Sequence, residues 1–141
     1  MNSRIACILA LTLIPLAACA SGTPASPTLD TASLVGSAWT QGVGTNAPRL
    51  QFVSAVSVNG TGGCNTFTGK AELGGSVMKL GPLGTTKKLC IGPSQAVEDA
   101  FYRALQDTQS ARIDGGQLVL LNAKGEEVAR LDKSTPQAGR P

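Results

Sequence analysis

Cysteines carry most of the chemistry this sequence could do. Cys19 follows Leu16-Ala17-Ala18, an aliphatic residue and two small ones ahead of a thiol. Lipid modification needs that spacing: small side chains let a peptidase hold the segment extended, and the thiol accepts a diacylglyceryl group before cleavage leaves it amino-terminal. Arg4 supplies a positive charge, and Ile5 to Leu16 form a short apolar stretch broken by Pro15. An apolar run of about 12 residues falls short of the roughly 20 that a membrane-spanning helix requires. Residues 1–18 are therefore expected to be a lipoprotein signal peptide and Cys19 the lipidated residue. An ordinary signal peptide, cut at a nearby Ala-x-Ala-like site, is the competing reading.

Cys7 would leave with such a leader. Cys64 and Cys90 then remain as an even pair in an oxidising compartment, where disulfides form and persist. A disulfide between them is the natural inference, and closing a loop of about 27 residues contributes roughly 3–4 kcal/mol through loop-closure entropy. A reduced metal-binding pair competes with this reading, but the chain has no histidine and no further cysteine to complete a tetrahedral site. No metal is expected.

The absence of histidine also removes the commonest general base. Gly60-Thr61-Gly62-Gly63 lacks the lysine and the following helix of a phosphate-binding loop. Glu98 and Asp99 are adjacent in sequence and so point to different sides of a helix, unlike a paired acid/base site. We expect no catalytic residues, no enzymatic activity and no cofactor. Asn65 and Thr66, beside Cys64, are the candidate binding residues; they either hydrogen-bond the backbone of a turn or line a binding surface. The 12 Lys and Arg against 9 Asp and Glu, with Arg4 in the leader, leave a nearly neutral chain that does not demand nucleic acid. Lys87-Lys88 reads as a solvated turn.

The elements that must position these residues are mostly strands. Residues 19–33 are rich in Ser, Thr, Ala, Gly and Pro and read as a lipidated cysteine and flexible tether, and residues 133–141 as a disordered tail. Between them, Leu50 to Val53 and Ala55 to Val58 carry β-branched and aromatic residues, and Gly60 to Gly63 break the run. Gly74-Gly75 and Gly115-Gly116 read as two-residue hairpin turns, and Asn122 to Gly125 as a third turn. From Ser94, Val97, Ala100, Phe101, Ala104 and Leu105 recur at helical spacing, which predicts one amphipathic helix over about 94–106, with Pro93 and Ser94 in its first turn. Such a stripe covers the open face of a sheet more often than it binds a partner. The fold class expected is α+β, mainly antiparallel: a curled or barrel-like meander with one helix packed on it.

In this order the residues resemble a known family. Leu34, Gly36 and Trp39, then Pro48-Arg49-Leu50-Gln51-Phe52, are similar to the opening of the META domain, found in bacterial lipoproteins of the heat-shock HslJ type. Gly60 to Gly69 holds the family's Gly-Cys-Asn signature, Thr86 and Cys90 its second signature, and Glu98, Phe101 and Leu105 its helix. Lys88 stands where the family usually has methionine. The resemblance covers roughly residues 34–132 and implies strands curled around a helix, with the two cysteines close enough to bond. Trp39, Phe52, Phe67 and Phe101 are then core anchors. It further implies a non-enzymatic envelope protein in heat or antibiotic stress tolerance, with an envelope protein as partner; a periplasmic small-molecule or inhibitor-binding module is the alternative. Ala20 after Cys19, where an aspartate would signal retention at the inner membrane, points to the periplasmic face of the outer membrane.

Overall fold

The computed structural model describes residues 29–137. Cys19, the expected signal peptide and most of the expected tether lie outside the described residues. The folded unit begins earlier than residue 34. Leu29 is buried, and Asp30 caps a one-turn helix, α1 (Thr31–Leu34), by accepting a hydrogen bond from the Ala32 amide at 3.0 Å. Leu29 and Leu34 flank that turn and both enter the core, which binds this segment to the domain rather than to the tether.

The described residues form nine strands: β1 (Ala38–Thr40), β2 (Arg49–Ser54), β3 (Ser57–Thr61), β4 (Thr66–Gly74), β5 (Val77–Leu80), β6 (Gly84–Thr85), β7 (Ser110–Asp114), β8 (Gln117–Leu121) and β9 (Glu127–Ser134). The helix α2 (Pro93–Asp107) lies between β6 and β7. All pairings are antiparallel. The order β3-β2-β1-β9-β8-β7-β5-β4 returns to β3 through a β3–β4 pairing, so the sheet closes into a ring. Its thinnest joint is β5–β7, with Val77 opposite Ser110. β9 extends through Lys133 and Ser134, which pair with Trp39 and Ala38, so these two residues of the expected tail belong to the sheet.

Local chemistry explains the turns. Asp114 opposes Gln117, leaving Gly115 and Gly116 as the two turn residues, both at positive φ (58° and 83°), as the expected hairpin requires. The other hairpin is shifted by one residue. Gly74 pairs with Val77, so the turn is Gly75-Ser76 and only Gly75 has positive φ. At the third turn the Asn122 side chain accepts from the amides of Lys124 and Glu126 and holds the β8–β9 connection. Gly60 and Thr61 were expected to break a strand and instead extend β3. A Cβ at Gly60 would collide with the Arg49 carbonyl oxygen and sit 2.7 Å from the Phe67 ring, so the missing side chain is what lets the β2 backbone and Phe67 both come close to this strand.

Trp39, Phe52, Phe67 and Phe101 are all buried in one core with Leu50, Met78, Leu118, Leu120 and Leu131. The helix packs against β5, β8 and β9. Its buried face differs from the expected stripe: Phe101, Ala104 and Leu105 are inside, but Val97 is 47% exposed and Ala100 is exposed. Glu98 takes the inward place. An inward carboxylate on a core face needs a compensating set of donors, and these define the site.

Candidate functional site

The turn after β3 places Cys64 and Asn65 against the first turns of α2. Cys64 and Cys90 are bonded, with Cα atoms 6.1 Å apart, so the turn and the approach to the helix are covalently joined. One Glu98 oxygen accepts from the backbone amides of Cys64 (3.1 Å) and Asn65, and the other accepts from the Asn65 side-chain amide at 2.7 Å. The Asn65 carbonyl oxygen of the side chain accepts from Thr86 Oγ1 at 2.9 Å and from the Lys88 amide at 2.7 Å. Its main-chain carbonyl accepts from the Gly62 amide, Thr61 Oγ1 and the Tyr102 hydroxyl. Asn65 thus links four places in the chain: the turn, Thr86 just past β6, the Lys88 loop and the helix.

Electrostatics follow from this geometry. Burial by itself raises the Glu98 pKa, but the hydrogen bonds from the Asn65 side chain, the Asn65 amide and the Cys64 amide outweigh it and hold the carboxyl below its ordinary 4.5. Glu98 is therefore a charged, buried and fully engaged acceptor. Beside it, burial and then the Glu98 charge push the Tyr102 phenol up to about 12. A Cβ at Gly62 would lie 2.5 Å from Glu98 Cγ and 2.9 Å from Tyr102 Cζ, so a glycine is needed for the turn to come this close to the helix.

Of the residues singled out in the sequence, the structure brings Cys64, Asn65 and Cys90 into one cluster. Thr66 leaves it: its amide donates to Thr86 Oγ1, while the residue is exposed and lines a surface groove on the outer face of the sheet. Cys19 lies outside the described residues. Glu98 is the residue that helical periodicity alone missed, because a carboxylate near a helix start reads as a dipole partner. Its spacing of three and seven from Phe101 and Leu105 was the available signal. The Cys64 and Cys90 sulfurs and a Glu98 oxygen lie within 4.8 Å of one another. The sulfurs are bonded to each other and the carboxylate is engaged by N–H donors, so the trio offers a metal no thiolate pair in this state. Lys88, in the place of the usual methionine, contributes through its backbone, and its side chain is exposed.

A closed antiparallel ring with one packed helix, pinned by a disulfide at a Gly-Cys-Asn turn, defines a META-type domain. The chain belongs to the META domain family, which matches residues 29–135. No curated protein matches the sequence. Two solved structures share the fold. A protein from Burkholderia xenovorans, solved by NMR, aligns with a TM-score of 0.63 at 20% identity, covering 87% of this chain and 100% of its own. A second protein solved by NMR aligns with a TM-score of 0.56 at 20% identity, covering 74% of this chain and 94% of its own.

Proposed function

We propose that this chain is a lipid-anchored envelope lipoprotein whose META domain acts by binding another envelope protein, not by catalysis, and so supports tolerance of envelope stress such as heat or antibiotic exposure. The observation that carries the reading is the Cys64–Cys90 disulfide. A bond of this kind belongs in an oxidising compartment, and the Leu16-Ala17-Ala18-Cys19 sequence supplies the route to one. Cys19 would hold the domain at the periplasmic face of the outer membrane of a two-membrane cell. The non-catalytic reading is supported by the site itself, where the buried Glu98 has its oxygens occupied by N–H donors from Asn65 and Cys64. Leu89 (90% exposed) and Ile91 (79% exposed) project from the loop around Cys90 and offer apolar surface to a protein partner.

The alternative of a binding module for an apolar small molecule is less well supported, because Phe52, Phe67, Phe101, six leucine side chains and Met78, all fully buried, occupy the interior. Intact mass spectrometry of protein purified from its native membrane tests the proposal. The expected mass is that of a chain starting at an acylated Cys19, with Cys64 and Cys90 refusing alkylation until reduced. An unlipidated chain with two free thiols would overturn it.

A further inference from the structure

The outer face of β2, β3 and β4 carries a groove of about 780 Å³. Its floor is a two-row array of polar residues fixed by strand register. Arg49 opposes Thr61, which opposes Thr66; Gln51 opposes Asn59, which opposes Thr68. The alternate residues Leu50, Phe52, Val58 and Phe67 point into the core, so these polar groups stand outward. Neighbours across strands lie roughly 5 Å apart, and neighbours along a strand roughly 7 Å.

What sets the array apart is that its hydrogen-bonding capacity is unused. Thr61 Oγ1 is committed to the turn. Among the described residues, the side chains of Arg49, Gln51, Asn59, Thr66 and Thr68 make no hydrogen bond, whereas the other described arginines do find acceptors: Arg103 on Asp99, Arg112 on Asp114, Arg130 on Glu127 and Asp114. Among the described residues, Arg49 Nε is buried without a partner, and Arg49 is the one charged side chain lining the groove. A guanidinium with no acceptor at the edge of a groove suits a planar oxyanion, which its two terminal nitrogens can hold with two parallel N–H bonds while the buried Nε–H stays out of the ligand's reach. The amides and hydroxyls around it each donate and accept, and Phe67, otherwise buried, is the one aromatic residue of the lining.

We infer that this groove binds a carboxylate-bearing, N-acetylated glycan, with Arg49 on the carboxylate, Gln51 and Asn59 on the acetamido groups and Thr66 and Thr68 on ring hydroxyls. A peptide strand fits less well, since β3 is paired on both sides and offers no free edge for strand addition. The volume lies within the range of small-ligand sites, about 300–1,000 Å³. The inference adds a ligand to the protein-binding reading above and does not depend on the lipid anchor.

The test is calorimetric titration of the purified full-length protein in detergent with the disaccharide of N-acetylglucosamine and N-acetylmuramic acid, against chitobiose in its N,N′-diacetyl form, which differs in lacking the lactyl carboxylate. The expected result is measurable binding of the acidic disaccharide, with chitobiose weaker by about tenfold or more. Arg49→Gln should erase the preference, and Arg49→Lys should keep part of it because the charge remains without the fork. Thr68→Val, a second outward change, should weaken both sugars while leaving the melting temperature unaltered. Equal binding of the two disaccharides, no binding at millimolar ligand, or an Arg49→Gln protein that still prefers the acidic sugar would overturn the inference. An acylated Cys19 found alongside a negative titration would leave the envelope reading standing and remove the glycan alone.

Discussion

Asn65 and Glu98 act as one unit, and each is placed so that the other has no substitute. Asn65 cannot rotate its amide, because its oxygen already accepts from Thr86 and Lys88 while its nitrogen donates to Glu98. Glu98→Gln would therefore bring two amide donors face to face, and Asn65→Ala would strip a buried carboxylate of a donor. Each is expected to lower stability by about 2–3 kcal/mol in denaturant titrations. The double change Asn65→Asp with Glu98→Gln moves the charge and restores a donor–acceptor pair, so it should recover part of the loss. A double variant no more stable than the summed losses of Asn65→Asp alone and Glu98→Gln alone predict would refute the pairing. The depressed Glu98 pKa has a sign that follows directly: a group with a lower folded than unfolded pKa contributes stability above its ordinary 4.5 and loses it as pH falls through the folded value. Wild-type stability should fall on acidification, with Glu98→Gln showing a flatter acid limb. Tyr102 works at the other end. Its raised pKa favours the neutral phenol in the fold, so stability is complete below pH 10 and declines toward 12, and Tyr102→Phe should remove that decline. In the sequence, Asn65 was legible as a candidate beside Cys64, but its choice between turn and binding surface was not. That depended on Thr86, Lys88 and Glu98, which lie more than twenty residues away and which no local pattern brings together.

At the scale of elements, periodicity located α2 within a residue at each end but not its orientation. Burying Val97 and Ala100 would satisfy hydrophobic pattern alone; the structure instead turns the helix so that Glu98 meets the Asn65 turn, leaving Val97 outside. Polar satisfaction decides the rotation, since leaving the turn amides of Cys64 and Asn65 without an acceptor costs more than exposing one valine. Phe101→Ala is accordingly expected to cost about 3–5 kcal/mol and Val97→Ala less than about 0.5 kcal/mol. Thermal melts that ranked the two equally would place the stripe where the apolar spacing alone puts it. The strands were more legible than the helix face. Paired glycines marked the β7–β8 hairpin correctly because two positive-φ positions admit little else, whereas Gly74-Gly75 was misplaced by one residue because one positive-φ position can be filled by either glycine. Gly60 misled for a different reason: it is needed for the close approach of the Arg49 backbone and Phe67 and not for a turn, and sequence does not distinguish the two uses.

Across the whole molecule, closure of the ring was implied by the family resemblance and by the meander of hairpins, but its seams were not, because β1 with β9 and β5 with β7 pair strands far apart in sequence that only the closed form brings together. The disulfide does not make a seam. It ties the turn before β4 to the loop before α2, across a separation of 26 residues. Loop-closure entropy assigns such a crosslink roughly 3–4 kcal/mol, against a total of about 5–15 kcal/mol for an ordinary domain. Reduction should therefore weaken the fold without abolishing it, since the hydrogen bonds from Asn65 to Glu98, Thr86 and Lys88 pull the same two segments together without help from sulfur. The expected outcome for the Cys64→Ser, Cys90→Ser double variant is a melting temperature lower by roughly 15 °C or more. Its chemical-shift pattern outside the turn should be unchanged. Adding Asn65→Ala to that background should then do more damage than Asn65→Ala does alone, because only the backbone bonds of the turn to Glu98 and Tyr102 then hold turn and helix together. If the two losses simply added, the crosslink and the hydrogen-bond cluster would be independent supports, and the turn would not be the single clamp that the geometry describes.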